Sequence, residues 1–230
     1  MDQQVRLFGA VAVRPVVLAV IPRFEATTGY KVAVRWELNP IVRRQIEAGE
    51  PFDLVITNPD LIGELSALGK VKAESQVAFG RIAMGVAAKE GSRPLDIGSV
   101  DTFKHALKNA GSIAYASDGT SGGYFSGLLE RLGIAEEVKP KLVPVAGGQT
   151  AAAVGRGEAE LGVVPVTSIL AAAPEVMLVG KFPAELQSYI DFAIGISADL
   201  TNEDAARQLS AFLTSPAIDA MLAAKGVERS

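Results

Sequence analysis

A run of seven small and polar residues is the first place where this sequence could bind a ligand. Residues 117–123 read SDGTSGG and lie between the apolar stretch 112–116 and a helix predicted over residues 124–132. A turn of this kind between a strand and a helix presents unpaired backbone amides, and the positive end of the helix dipole adds to them. The hydroxyls of Thr120 and Ser121 add two donors. The pattern indicates an anion site, but it is equally typical of an ordinary helix cap.

Charged and aromatic side chains follow the first two predicted strands. Arg14 comes shortly after the first strand, and Trp36 and Glu37 stand at the end of the second. A guanidinium is the natural bidentate partner of a planar carboxylate. Arg14 can equally be an exposed charge on the first helix, and Trp36 and Glu37 can pack or face solvent. Asn39 either caps the next helix or donates to a ligand.

Four further positions belong to the predicted binding set. Gln149 or the adjacent Thr150 opens a helix after two glycines, which repeats the pattern of the first run. Gly122 offers a backbone amide, and Thr167 follows a predicted strand. The ring of Tyr124 either lies on the ligand or is wedged into the interior.

The composition excludes several chemistries. The chain has no cysteine and a single histidine, His105, so we expect no metal site and no nucleophile–histidine pair. The glycine-rich run lacks the lysine of a P-loop, so nucleotide hydrolysis is unsupported. The net charge of −4 and the absence of a Lys/Arg run argue against nucleic acid as a partner. We expect no cofactor, and His105 is interpreted as a surface residue.

The first residues carry no export signal of the usual kind. They lack a positive start and a long apolar middle, and the apolar stretch 16–21 is too short to span a membrane. We therefore expect a periplasmic protein if a signal peptide was removed before Met1, and a cytoplasmic protein otherwise.

Strands alternate with helices along the chain, which predicts an α/β fold of two lobes, each a mostly parallel sheet flanked by helices. A long apolar strand over residues 77–88 passes from one lobe to the other, and a strand over 187–196 returns. Lobe 1 is therefore predicted to contain residues 1–82 plus 192–230, and lobe 2 residues 83–191. Two crossings of this kind allow hinge closure around a ligand.

Four stretches carry a resemblance to a known family. They are RQIEAGEPFDLVIT (44–57), VGRGEAELGVVPVTSI (154–169), FLTSPAIDAMLAAKGV (212–227) and FEATTGYKVAV (24–34). In these stretches the chain resembles the type 2 periplasmic solute-binding proteins, and most closely the molybdate-binding proteins of ABC importers. The resemblance implies a two-lobed protein that closes on a small anion and docks on an ABC permease. We expect a monomer.

The resemblance also implies where the ligand lies. Contacts are expected from the loop after the first strand, which begins at Ala10, from the helix start at Pro40, from residues 117–123, and from the segments near Gln149 and Pro165.

Three positions depart from the molybdate-binding pattern. The first loop typically offers a serine, but residues 10–14 here read AVAVR, without a hydroxyl. The second serine site matches Leu38 and Asn39, and Pro165 stands where a tyrosine is usual. Because Arg14 follows the first loop, the sequence favours an organic carboxylate over a molybdate-like oxyanion.

The sequence leaves two main functions open, and a third is also considered. The first is a solute-binding protein for a small anion in ABC import. The second is a cytosolic isomerase or lyase on the same fold, in which Arg14 holds a carboxylate and Glu37 transfers the proton. The third, a cytosolic ligand sensor, would need a partner domain that this chain does not contain.

Overall fold

The computed structural model describes residues 4–200 and 202–229. Within these ranges the chain forms ten β-strands and ten α-helices. The strands are β1 (Gln4–Ala10), β2 (Lys31–Glu37), β3 (Leu54–Thr57), β4 (Val77–Lys89), β5 (Ile113–Ala116), β6 (Leu142–Val145), β7 (Leu161–Pro165), β8 (Val176–Lys181), β9 (Tyr189–Ile196) and β10 (Val227–Glu228). The helices are α1 (Arg14–Thr28), α2 (Asn39–Glu47), α3 (Pro59–Ala67), α4 (Val100–Asn109), α5 (Thr120–Arg131), α6 (Ala135–Val138), α7 (Thr150–Gly155), α8 (Val166–Ala171), α9 (Glu203–Thr214) and α10 (Asp219–Ala224).

The chain folds into two compact units. Unit 1 contains the residues up to Arg81 and those from Asp191 onward, and unit 2 is Ile82–Ile190. The chain leaves unit 1 within β4 and returns to it within β9.

Unit 1 is built on a sheet in which β1, β2 and β3 are parallel and β1 lies in the middle. The returning strand β9 pairs antiparallel with β3. Apolar side chains of α2 and α3 cover one face of this sheet around Phe8 and Val55. On α1 and α9, the rings of Phe24 and Phe212 meet with their centroids 5.5 Å apart. The sheet therefore has parallel strands whose carboxyl ends share one edge.

An ion pair between a buried aspartate and a partly exposed arginine holds β1 beside β3. Asp53, fully buried just before β3, accepts hydrogen bonds from the backbone amide of Arg6 at 2.7 Å and from its guanidinium at 2.8 and 3.0 Å. Its own amide donates to the Arg6 carbonyl at 2.9 Å. The aspartate of the motif over residues 44–57 thus has a structural task, because it sets where β3 starts against β1.

Strand β2 is anchored at its start by a carboxylate from α1. Glu25 accepts the Val32 amide at 2.9 Å and the Lys31 ammonium at 3.0 Å. These contacts favour the ionised carboxylate and hold the pKa of Glu25 below its ordinary value.

Unit 2 repeats the arrangement with different strands. Strands β6, β5 and β7 are parallel in that spatial order, and β4 pairs antiparallel with β7 and with β8. The core beneath α7 and α8 consists mainly of alanine and valine, including Ala114, Ala153 and Val154. Short side chains in this core let the helices lie close to the sheet, so the starts of these helices are tightly positioned.

Within residues 4–200 and 202–229, no helix is both long enough and apolar enough to cross a membrane.

Candidate functional site

The carboxyl ends of the three parallel strands of unit 2 form one edge of its sheet, called here the unit 2 edge. Each strand leads into a helix, and α5, α7 and α8 begin at Thr120, Thr150 and Val166. The first amides of a helix have no acceptor within that helix. This edge therefore gathers unpaired donors and positive dipole ends, which favour an anion.

Helix α5 begins earlier than the sequence predicts. It starts at Thr120 rather than at Tyr124, so the turn after β5 is only residues 117–119. Gly119 occupies the N-cap position, and no side chain caps the helix. Within the described part of the chain, the hydroxyls of Thr120 and Ser121 have no hydrogen-bond partner. Both hydroxyls are therefore available to a ligand.

Gly122 sets the distance between α5 and the end of β5. A Cβ atom on this residue would lie 1.6 Å from the carbonyl oxygen of Ala116, which only glycine avoids. A Cβ atom on the adjacent Gly123 would meet nothing within 4 Å. Gly122 thus lets the first turn of α5 approach the strand closely, while Gly123 has no such requirement.

Tyr124 joins two segments of unit 2. Its hydroxyl donates to the Leu186 carbonyl at 2.7 Å, and the Arg131 guanidinium lies 5.2 Å from the centre of its ring. The side chain is partly buried. These contacts are the ones expected if the Tyr124 ring is wedged into the interior of the unit. Contact between Tyr124 and a ligand stays a prediction.

The residues near α7 and α8 differ in burial. Gln149 is exposed at the N-cap position of α7, whereas Thr150 and Thr167 are fully buried. The Thr150 hydroxyl has no hydrogen-bond partner among the described residues. Of Gln149 and Thr150, only Thr150 has a buried donor without a partner among the described residues. Their positions in the sequence could not distinguish them.

The unit 1 edge consists of the carboxyl ends of β1, β2 and β3. The strand register places Ala10 beside Glu37 and Gly9 beside Trp36. The Trp36 ring covers Gly9 so closely that a Cβ atom there would lie 2.2 Å from it. The structure thus brings three predicted residues together, and it shows Trp36 packed against the β1 backbone.

Two opposite charges at this edge are left unpaired. Arg14 is exposed at the start of α1, and Glu37 is partly buried at the end of β2. Within the described ranges, neither forms an ion pair or a side-chain hydrogen bond. Both charges are therefore available to a ligand.

Asn39 is not the cap of α2. The N-cap position belongs to Leu38, without a side-chain bond. The Asn39 amide instead accepts the Thr57 hydroxyl at 2.8 Å and donates to Asn58. Asn58 is absent from the predicted set, although the polar stretch that follows the buried strand β3 was a signal for it.

The structure bears on two further expectations, the absence of a metal site and the surface position of His105. In the described ranges, no group of three or more His, Asp or Glu side chains is placed to hold a metal ion. His105 is exposed on α4, which confirms its interpretation as a surface residue.

The chain matches the family described as "Bacterial extracellular solute-binding protein" over residues 5–228. It belongs to this family. An aconitate isomerase from Pseudomonas sp. is 30% identical over 217 residues, which are 92% of this chain and 80% of the relative. The molybdate-binding protein ModA of Escherichia coli (strain K12) is 26% identical over 201 residues, 85% of this chain and 77% of the relative.

Solved structures share the fold. The periplasmic molybdate-binding protein of Azotobacter vinelandii is 19% identical, with a TM-score of 0.84 over 98% of this chain and 99% of that one. The sulfate-binding protein SubI of Mycobacterium tuberculosis H37Rv is 18% identical, with a TM-score of 0.78 over 97% and 86%. The predicted two-lobed type 2 periplasmic-binding-protein fold and the resemblance to molybdate-binding proteins are confirmed.

The two glycines at the start of α5 give a matched pair of variants. We expect Gly122→Ala to destabilise the protein by about 1–3 kcal/mol, because its methyl group collides with the backbone of β5. Gly123→Ala adds its methyl group in open space and gains helix propensity, so it should be neutral or stabilising by up to about 1 kcal/mol. Thermal unfolding followed by circular dichroism measures both variants. Equal midpoints would contradict the close approach at Gly122.

Proposed function

We propose that this chain is a solute-binding protein for a small organic carboxylate, which it delivers to an ABC permease. The observation that carries the carboxylate preference is Arg14, whose guanidinium is exposed and unpaired among the described residues at the unit 1 edge. Its planar donor fork matches a carboxylate in a bidentate geometry.

The rest of the unit 1 edge supports this ligand class. The loop from Ala10 to Arg14 supplies no hydroxyl, and Asn39 supplies a side-chain amide. The unpaired carboxylate of Glu37 disfavours a compact dianion at the same edge. An extended carboxylate can keep its own charges away from Glu37 while one end meets Arg14.

The unit 2 edge is less selective. The Thr120 and Ser121 hydroxyls and the first amides of α5 are neutral donors. Neutral donors accept a carboxylate and an inorganic oxyanion alike. They support binding of an anion without choosing which one.

The name of one relative supports a carboxylate ligand. Aconitate, the compound named for the relative at 30% identity, is a tricarboxylate. The family description as extracellular and the periplasmic neighbour support a periplasmic location and a role in import. We further propose that the protein acts as a monomer.

A panel of anions tests the proposal. We expect tricarballylate, trans-aconitate or succinate to raise the thermal midpoint more than molybdate, tungstate or sulfate do. A ligand at a hundredfold excess over its Kd stabilises the folded state by about 2.7 kcal/mol. Differential scanning fluorimetry with each anion at equal ionic strength measures the shifts. Strong stabilisation by molybdate together with inert carboxylates would reject the carboxylate preference.

Arg14→Ala tests the residue on which the proposal depends. Loss of a charge-assisted hydrogen-bonded contact costs about 1.5–3 kcal/mol, so the Kd for the best carboxylate should rise about 10- to 100-fold. The control is Arg44→Ala, which removes another exposed arginine without a side-chain partner among the described residues. Isothermal titration calorimetry should show a changed Kd for Arg14→Ala alone. An unchanged Kd in that variant removes Arg14 from the site.

A second candidate function is isomerisation of an unsaturated carboxylate. Two observations favour it: the relative named aconitate isomerase, and the partly buried Glu37 carboxylate, which has no partner among the described residues. Glu37 would remove a proton from the carbon beside a carboxylate, the double bond would shift, and the proton would return to the former alkene carbon. Nothing is oxidised or reduced in this allylic proton transfer.

Glu37→Gln separates binding from turnover. Under this second function, we expect the wild type to convert cis-aconitate in D2O into the trans isomer with deuterium uptake, measured by proton NMR; no conversion would reject this function. We expect Glu37→Gln to lose at least about 100-fold of this rate while still binding trans-aconitate, since general-base catalysis contributes about 10²–10⁴-fold. Glu74→Gln, at an exposed glutamate of unit 1, is the control. Full activity in Glu37→Gln would contradict its assignment as the base.

A further inference from the structure

Three side chains at the unit 1 edge form a continuous hydrogen-bonded chain. The Thr57 hydroxyl donates to Oδ1 of Asn39 at 2.8 Å, and Nδ2 of Asn39 donates to Oδ1 of Asn58. Nδ2 of Asn58 then donates to the backbone carbonyl of Asp191 at 2.8 Å. Thr57 is fully buried and both asparagines are partly buried. The chain links the ends of β2 and β3 to the start of α2 and to β9.

The direction of this series of hydrogen bonds is fixed by its final acceptor, the Asp191 carbonyl. A backbone carbonyl can only accept, so Asn58 must turn its nitrogen toward Asp191 and its oxygen toward Asn39. Asn39 must then donate to that oxygen, which leaves its own oxygen for Thr57. The orientation of an asparagine amide is usually a matter of assignment. Here one carbonyl determines the orientation of both amides.

Each asparagine keeps an unused donor after this accounting, in addition to the second lone pair of its amide oxygen. Each asparagine nitrogen carries two hydrogens and spends one of them within the chain. The second hydrogen of each nitrogen has no acceptor among the described residues. Hydrogen bonds in series polarise one another, which strengthens the donors that remain.

We infer that Asn39 and Asn58 present these donors to a second carboxylate of the ligand, and that Thr57 is the positioning residue whose hydroxyl holds the Asn39 amide in place through its oxygen. The inference rests on the proposed function, because it assumes that Arg14 takes the first carboxylate. It narrows the ligand to compounds with at least two carboxylates. It also adds Asn58 as a specificity-determining residue.

Two matched pairs of ligands test this inference. Succinate and butyrate share a four-carbon chain, as glutarate and pentanoate share a five-carbon chain, and the members of each pair differ by the second carboxylate. The advantage of the extra carboxylate is the ratio of the two Kd values, measured by isothermal titration calorimetry in the pair that the wild type binds more tightly.

Thr57→Val keeps the shape of the side chain and removes its hydroxyl. We expect the advantage of the extra carboxylate to fall at least about fivefold in this variant, while the weaker ligand of the pair loses little affinity. Thr57→Ser restores a hydroxyl and should restore the advantage. Asn58→Asp, which exchanges the donor for an anionic acceptor, should abolish it. If Thr57→Val weakens the affinity for both ligands of the pair equally, the inference is overturned and Thr57 has a structural role only.

The wild-type protein provides an independent readout should Thr57→Val fail to fold. We expect the side-chain amide signals of Asn39 and Asn58 in ¹H–¹⁵N NMR spectra to shift when the ligand with the extra carboxylate is added, and to stay in place with its partner ligand. Signals that respond alike to both ligands overturn the inference. A wild type that binds no carboxylate at all rejects the proposed function itself, which is a different result from binding without this discrimination.

Discussion

The central constraint in each unit is that a parallel strand must be followed by a connection whose helix starts at the carboxyl end of the sheet. The first amides of such a helix cannot be paired within it, so three neighbouring strands place three sets of donors at one edge. Close packing then fixes where those donors point. In unit 2 the missing side chain of Gly122 lets α5 rest on the carbonyl of Ala116, and in unit 1 Gly9 leaves room for the Trp36 ring.

The two edges differ in charge, and this difference bears on the ligand. The α5 start of the unit 2 edge offers neutral hydroxyls and amides at Thr120 and Ser121, which suit any small anion. The unit 1 edge combines one guanidinium, one carboxylate and two oriented amides, each with unused capacity among the described residues. The proposed carboxylate preference rests on this set of groups, because Glu37 would repel a compact dianion. An extended polycarboxylate could divide its charges between Arg14 and the amides.

Family membership alone does not determine whether a protein with this fold binds a ligand or also converts it. A few side chains at the site determine this. Relatives of this chain bear the names of a molybdate-binding protein and of an aconitate isomerase, so related sequences are named for binding and for catalysis. In both functions proposed for this chain, the helix starts bind the anion. The two proposed roles differ in the use of Glu37, whose unpaired carboxylate would either repel a compact dianion or remove a proton from the ligand.

Local patterns in the sequence determined the elements and the fold. Apolar periodicity and glycine stops located the main strands and helices, and the motifs over residues 44–57 and 154–169 indicated the family. Tertiary structure alone decided which neighbours the residues at the two edges pack against and bond to. The start of α5 depends on the approach of Gly122 to β5, and the orientation of Asn58 depends on the carbonyl of Asp191, 133 positions away in sequence. Periodicity reports which face of an element is buried, whereas a hydrogen bond between distant segments exists only once the chain has brought them together.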